Sequence, residues 1–217
     1  MATADVLERN YPGRRAQLKR DILLGALACF NEHGLDLTTI EIIKQHCDTS
    51  VGNIYHHFGS KEGLVAALFF SALEDQARLL ADYLDKAQTA QEGVAAIVCA
   101  YVDWVTEQPE LARFQYQARA AVAKGPQADE LSARNRARNK NMHAWWAAPG
   151  RRDLIKHIPD DLLPSLLIGQ AENYCRAWLS ARVSTSPKKY REHLTQAAWN
   201  SLAPVALATS VDTISAA

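Results

Sequence analysis

The sequence predicts an all-α protein. Apolar residues recur at helical spacing from the first third of the chain to the last, and no stretch alternates apolar and polar residues for long enough to read as a strand. The punctuation agrees: breaks at Gly59-Ser60, Gln108-Pro109, Gly125-Pro126, Pro149-Gly150, Pro159-Asp160-Asp161 and Ser186-Pro187 help to cut the chain into about nine helices. With 217 residues, 48% of them hydrophobic, the chain can bury a substantial core in one or two domains.

In order along the chain, residues 1–13 read as an N-terminal arm before the first helix. Arg14, Arg15, Lys19 and Arg20 precede that helix or lie in its opening turns, as a basic arm or as a solvated helix start. Thr38 with Glu41 predicts a capping box and therefore a helix start near residue 38. Ile40, Ile43 and Cys47 then form one apolar stripe, and the run stops at Asp48-Thr49-Ser50. Ser50 or Thr49 can cap the next helix, in which Ile54 and Phe58 face the core while Val51, Asn53, Tyr55 and His56 lie largely elsewhere. Gly59-Ser60-Lys61-Glu62 ends that helix and opens another, with Lys61 where backbone N–H groups favour a phosphate. Two helices around a polar turn, with the second exposing a short polar and aromatic face, are the helix-turn-helix that enters the major groove of DNA.

Beyond this point a long helix is expected from Ser60 to about Lys86 and another from about Ala90 to Gln108; Pro109 restarts the chain at a first-turn position, with Glu110 favouring the helix N-terminus. Residues 204–217, rich in Ala, Ser, Thr and Val, are expected to fray.

From Ile22 to Leu68 the sequence resembles the tetracycline-repressor (TetR) family of bacterial transcription regulators. The matching residues are Ile22, Leu23, Ala26, Phe30, Gly34, Thr38-Thr39-Ile40, Ile43, Ser50, Gly52, Tyr55-His56-His57-Phe58, Lys61 and Leu64. Lys44, Asp48 and Thr49 depart from the usual small Ala, turn Gly and Val. Asp tolerates a left-handed backbone, so the turn is expected to survive, and Lys44 is expected to lay its stem along the domain with its ammonium in water. The resemblance implies an N-terminal three-helix helix-turn-helix DNA-binding domain, residues 14–62, and a larger helical effector-binding and dimerisation domain, residues 63–210, followed by a tail at 211–217.

It also implies a homodimer on a palindromic double-stranded DNA operator, released by a small-molecule effector. Asn53 is the candidate for a base edge, Thr49, Ser50, Val51 and His56 for further groove contacts, and Thr39, Tyr55, His57 and Lys61 for phosphates. Leu162, Leu163, Leu166, Leu167 and Ile168, with Ala171, Tyr174, Cys175 and Trp178, give one late helix two apolar faces, and Tyr190, Leu194, Ala197 and Ala198 stripe another. These suit a dimer interface, or an ordinary core. For the effector the candidates are Tyr101, Trp104, Phe114, Gln117, His143, Trp145, Asn173, Tyr174 and Trp178, with Tyr116 and Trp146 beside them; aromatic walls with sparse polar groups suit a small organic ligand, and core packing gives the same pattern. Trp145 and Trp146 diverge by about 100°, so at most one faces a cavity squarely. Arg134, Arg136, Arg138 and Lys140 read as a solvated helix face or as a partner for an anionic effector.

Net charge is zero, and residues 1–61 balance as well, so affinity for DNA has to come from placement rather than bulk basicity. No run of about 18 apolar residues suits a membrane span and the N-terminus lacks the apolar core of a signal peptide, so a soluble, cytoplasmic protein is expected. Cys29, Cys47, Cys99 and Cys175 have neither zinc-site spacing nor a disulfide framework and read as reduced thiols. A phosphate-cradling Gly-rich loop, a Glu-x-x-His pair and a Gly-x-Ser-x-Gly elbow are all missing, and His56 and His57 diverge too far to share a metal; no enzyme, cofactor or metal is expected. The competing reading is a helical protein-binding adaptor, which would show no salt-dependent duplex binding.

Overall fold

The computed structural model describes residues 3–151 and 158–202. Ten α-helices and two short 3-10 turns carry the regular structure of these residues, and no strand occurs among them. Of the expectations above, the fraying segment, the tail at 211–217 and the end of the second domain lie outside the described residues.

The chain opens on a helix, α1 (Thr3–Asn10), where an arm was expected. Val6 and Leu7 are fully buried in it, and the helix packs on α2 (Gln17–His33) and α5 (Lys61–Leu84). Two adjacent apolar residues in eight show no periodicity, so the signal was too short to read; the burial and an ion pair from Arg9 to Asp75 supply what local propensity does not.

The helix-turn-helix follows as α3 (Ile40–His46) and α4 (Val51–Phe58). Thr39, not Thr38, caps α3, accepting from Ile42 N–H at 3.2 Å. Thr38 is fully buried and donates its hydroxyl to the carbonyls of Cys29 and Gly34, pinning the end of α2. With the cap at Thr39, Glu41 falls one residue short of the position from which a capping box closes, and it pairs instead with Lys44 at 2.6 Å. Lys44 thus keeps its ammonium at the surface, as its place in the sequence suggested. Asp48 takes a left-handed conformation, φ 47°, in the turn between the two helices. Ile54 is buried and Phe58 packs against the core; Gly59, at φ 73°, then turns the chain with no Cβ to strain it, and Ser60 caps α5.

The larger part comprises α5, α6 (Ala90–Glu107), α7 (Pro109–Lys124), α8 (Ala128–Trp146), α9 (Leu163–Leu179) and α10 (Arg191–Leu202), with a 3-10 turn at Pro187–Tyr190; the other 3-10 turn, Arg14–Ala16, precedes α2. Every predicted break separates two of these elements. Thr89 and Glu92 close a reciprocal capping box at the start of α6. The two parts share one core: Phe30 of α2 stacks on Phe114 of α7 with ring centroids 5.6 Å apart. Cys29 and Cys175 are buried, and Cys47 is half-buried with its thiol pushed up to about 11 by burial and then by the charges of Cys29 and Asp21. None of these three is a ready thiolate.

Candidate nucleic-acid interface and ligand cavity

The first candidate surface is built on α4. Ser50 adopts an extended backbone and its Oγ accepts from Asn53 N–H at 3.1 Å, which fixes where the helix begins. Asn53 is exposed one turn in, and its amide donates to Thr49 Oγ1 at 3.2 Å, leaving its carbonyl oxygen and second N–H directed outward. Tyr55, 49% exposed, and His56 share the outer surface of the helix. Val51 and His57 are half-buried beside them. Burial, the neighbouring His56 and Lys19 all lower the pKa of His57, so its ring is neutral at pH 7 and offers an N–H rather than a charge. Thr39 is exposed with its hydroxyl oxygen committed to the α3 cap, and Lys61 stands half-exposed at the first position of α5. The helix pair therefore gathers Thr39, Thr49, Ser50, Val51, Asn53, Tyr55, His56, His57 and Lys61 around one short helix and its flanks.

The basic cluster before α2 divides. Arg14 and Arg15 are exposed in the 3-10 turn. Arg20 is only 6% exposed and is structural: it donates to the carbonyls of Tyr11 and Gly13 and to Gln17, and pairs with Glu8 at 2.8 Å. Its fork satisfies backbone that has no helix to satisfy it, which removes it from any arm. Lys19 lies over the rings of Tyr11 and Phe58, its Nζ 4.3 Å from the first.

The second candidate is a cavity of about 510 Å³ between α5, α6, α7, α8 and α9. Leu73, Ala77, Leu80, Ile97, Leu163 and Leu167 form its apolar wall. Tyr101, Tyr116, Gln115, Arg119, Arg138 and His143 bring polar groups to it. The hydroxyls of Tyr101 and Tyr116 are in direct contact; burial first, then the neighbouring hydroxyl, pushes the Tyr101 phenol far up, so it stays protonated.

Of the residues expected in such a cavity, Tyr101, Tyr116 and His143 line it. Trp104 does not: it is 1% exposed, and its indole N–H donates to Asp75 inside the core. Phe114 is fully buried against Phe30. Trp145 lies over Gly93 of α6, where a Cβ would come within 1.9 Å of the indole, and under the guanidinium of Arg151. Tyr174 sends its hydroxyl to Thr185 O and meets Tyr190 edge to face, Trp178 packs against the core, and Gln117 and Asn173 point to solvent. Polar tips attached to aromatic bodies found partners within the helix packing, and the helix phase put the two amides outside. Much of the polar lining, including Gln76, Gln115, Arg119 and Asn139, was not among the residues the sequence offered; of Arg134, Arg136, Arg138 and Lys140, only Arg138 is in the wall.

Among the described residues no helix is long and apolar enough to cross a membrane, and no group of His, Cys, Asp and Glu is arranged to hold a metal ion.

Residues 22–68 match the family described as "Bacterial regulatory proteins, tetR family". The chain is 44% identical over 61 residues to the transcriptional repressor AcnR of Corynebacterium glutamicum, covering 28% of this chain and 31% of that protein. It is 34% identical over 104 residues to a helix-turn-helix repressor of Mycobacterium tuberculosis, covering 45% and 51%. The chain thus spans about a third to a half of the length of these relatives. In three dimensions it resembles a TetR family regulator from Marinobacter aquaeolei, with a TM-score of 0.73 at 22% identity over 87% of this chain and 97% of that one. A regulator, FadR of Bacillus subtilis, solved in complex with stearoyl-CoA, gives 0.65 at 12% identity over 84% and 98%.

Proposed function

Because the chain belongs to the TetR family of bacterial regulatory proteins, we propose that it is a DNA-binding transcriptional repressor that works as a homodimer and lets go of its operator when a small molecule fills the cavity. The observation that carries the first step is the outer face of α4, capped by Ser50 and presenting Asn53, Tyr55 and His56 to solvent. Asn53 reads a base edge, Thr49, Ser50, Val51 and His56 line the groove, and Thr39, Tyr55, His57 and Lys61 hold phosphates. Two copies with their α4 helices about one helical turn of DNA apart read a palindrome. The partner face is formed by α9 and α10, where Leu162 is 45% exposed and Leu166, Trp178 and Leu194 are only half covered by their own chain.

The effector step follows from one helix serving both sites. Helix α5 starts at the Ser60 cap, directly behind α4, and its Leu73, Gln76, Ala77 and Leu80 line the cavity. A ligand that prefers the arrangement with badly spaced reading heads by about 100-fold supplies roughly 2.7 kcal/mol of coupling, enough to vacate a marginal operator.

The test is a titration of the protein against the duplex flanking its own coding sequence and against a scrambled duplex at several salt concentrations. The expected result is two chains per palindrome and affinity for the natural duplex falling steeply with salt. A chain that stays monomeric and shifts neither duplex at low ionic strength overturns the proposal.

A further inference from the structure

The cavity wall holds two guanidiniums and two carboxylates, and no ion pair joins the one set to the other. Arg119 of α7 and Arg138 of α8 both reach it. Arg138 makes one hydrogen bond, to Asn135 Oδ1 at 3.2 Å, and neither guanidinium has a carboxylate partner among the described residues. Their neighbours are otherwise arranged. Arg134, four residues earlier on α8, is saturated by Glu130 and Glu74 and lies over Phe70. The two acids in the wall are occupied or remote: Glu172 is bound to Arg176 at 2.6 Å, and Asp160, 83% exposed, faces His143 at 3.9 Å. Burial, and then the charge of Arg119, push the pKa of Arg138 down, the mark of a guanidinium short of an anion.

Next to this cationic corner, Leu73, Leu80, Ile97, Leu163 and Leu167 offer an uncharged wall, and the Tyr101–Tyr116 hydroxyl pair adds a buried polar point. Two guanidiniums can fork onto a carboxylate or phosphate, and in a partly desolvated site such charge-assisted bonds are far stronger than in water.

We infer that the cavity selects a small amphiphilic anion, with its carboxylate or phosphate head between Arg119 and Arg138 and its apolar body along the leucine wall. The inference rests on the reading of this cavity as the effector site and narrows it to one chemical class. The site discriminates by charge at one end and by volume at the other, since about 510 Å³ holds a drug-sized molecule and no more.

The experiment uses the full chain and three probes of equal tail length: decanoate, decyl phosphate and 1-decanol. Calorimetric titration is expected to show at least one of the two anions binding tenfold or more tightly than decanol, and the two anion arms reveal which head fits. In Arg138→Gln the advantage of the anion over decanol disappears; in Arg138→Lys, which keeps the charge but not the fork, part of it remains. Arg119→Gln serves as the second variant, and an unchanged far-UV spectrum and thermal midpoint without ligand verify folding for each. Decanol binding as tightly as both anions, anion binding unaffected by either Gln variant, or no binding of any probe overturns the inference. A duplex titration separates this from the broader reading. Release of the duplex by decanol as readily as by the anions keeps the effector cavity and sinks the anion site. Arg138-dependent anion binding that never changes duplex affinity keeps the anion site and sinks the effector reading.

Discussion

The indole N–H of Trp104 donates to the buried carboxylate of Asp75 at 3.1 Å, and the same carboxylate receives Arg9 of α1 at 2.6 Å and Arg78 at 2.8 Å. One acid thus ties the N-terminal helix, which packs on α2, to the middle of the larger part. Asp103 on α6 makes the corresponding joint at the other end of α5, accepting from Tyr83 at 2.6 Å and pairing with Arg191 of α10 at 2.6 Å. Helix α5 is therefore anchored at its middle through Asp75 and near its C-terminal end through Tyr83, which makes it a stiff element for the proposed coupling between cavity and α4.

Removing the Asp75 carboxylate should cost about 2–3 kcal/mol, because the Trp104 N–H is left without an acceptor inside the core while Arg9 and Arg78 rehydrate. Asp75→Asn, which keeps an acceptor, should cost less than Asp75→Ala. Burial opposes ionisation of Asp75, but the bonds from Arg78 and Arg9, the Arg9 charge and the Trp104 N–H prevail and hold its pKa below the usual carboxylate range. Its contribution to stability is therefore complete above about pH 4 and is lost as pH falls through the lower folded-state value. Urea midpoints measured across that range should fall in the wild type and lose part of that slope in Asp75→Asn.

The two kinds of arginine before α2 should separate cleanly. Arg20→Met removes two anchors to the loop, a bond to Gln17 and one ion pair, so it should lower the thermal midpoint markedly and weaken DNA binding only in proportion to unfolding. Arg14→Gln and Arg15→Gln, in an exposed turn, should leave the midpoint within a degree or two, since exposed substitutions away from such features cost under about 0.5 kcal/mol. Each that touches a phosphate should reduce the slope of log affinity against log salt by about one. Equal slopes in all three variants would exclude this turn from the DNA surface.

The sequence carried the architecture well and the cavity poorly, for one physical reason. Caps, breaks and the apolar phase of α3 to α7 are local signals, each written within a turn or two, so Ser50, Ser60, Pro109 and the left-handed Asp48 could be read directly. Which of two neighbouring hydroxyls caps a helix depends on where the preceding helix ends, and Thr38 was claimed by Cys29 and Gly34 across that junction. The identity of cavity residues depends on how five helices meet, and an aromatic side chain obeys the same periodicity whether it faces a void or fills it. Trp104 and Phe114 are buried in the core, whereas Arg138, which read as part of a solvated helix face, reaches the cavity wall.

His57 should give DNA binding a pH dependence of predictable sign. Burial, followed by the charges of His56 and Lys19, lowers its pKa below the free value of about 6.5. As pH falls below about 6.5 the unfolded chain takes up the proton first, so the unliganded protein loses stability through this group. A nearby phosphate favours the same proton, so duplex affinity should rise between pH 7 and pH 5.5 in the wild type and rise less in His57→Gln, compared at constant ionic strength. Identical profiles for the two proteins would remove His57 from the phosphate contacts.

Asn53 and Tyr55 should fail in different ways, and the difference tests the whole assignment of α4. Asn53 is held by Thr49 with one N–H spent, so its remaining donor and acceptor have a fixed direction, as bidentate reading of one base edge demands. Asn53→Ala should cost about 1–3 kcal/mol on the preferred site and flatten the preference at one position in each half-site. Thr49→Val, which removes the acceptor that aims Asn53, should flatten the same position by a smaller amount. Tyr55 is exposed and stands about 100° round the helix from the buried Ile54, which suits a hydroxyl reaching a phosphate. Tyr55→Phe should therefore weaken every duplex alike, natural or scrambled, by about 1 kcal/mol, with no change in the ranking of bases. Binding measured over a library of duplexes with single substitutions in the half-site distinguishes a shifted ranking from a uniform loss, and a Tyr55→Phe protein with altered base preference would place the reading edge of α4 one residue further round the helix.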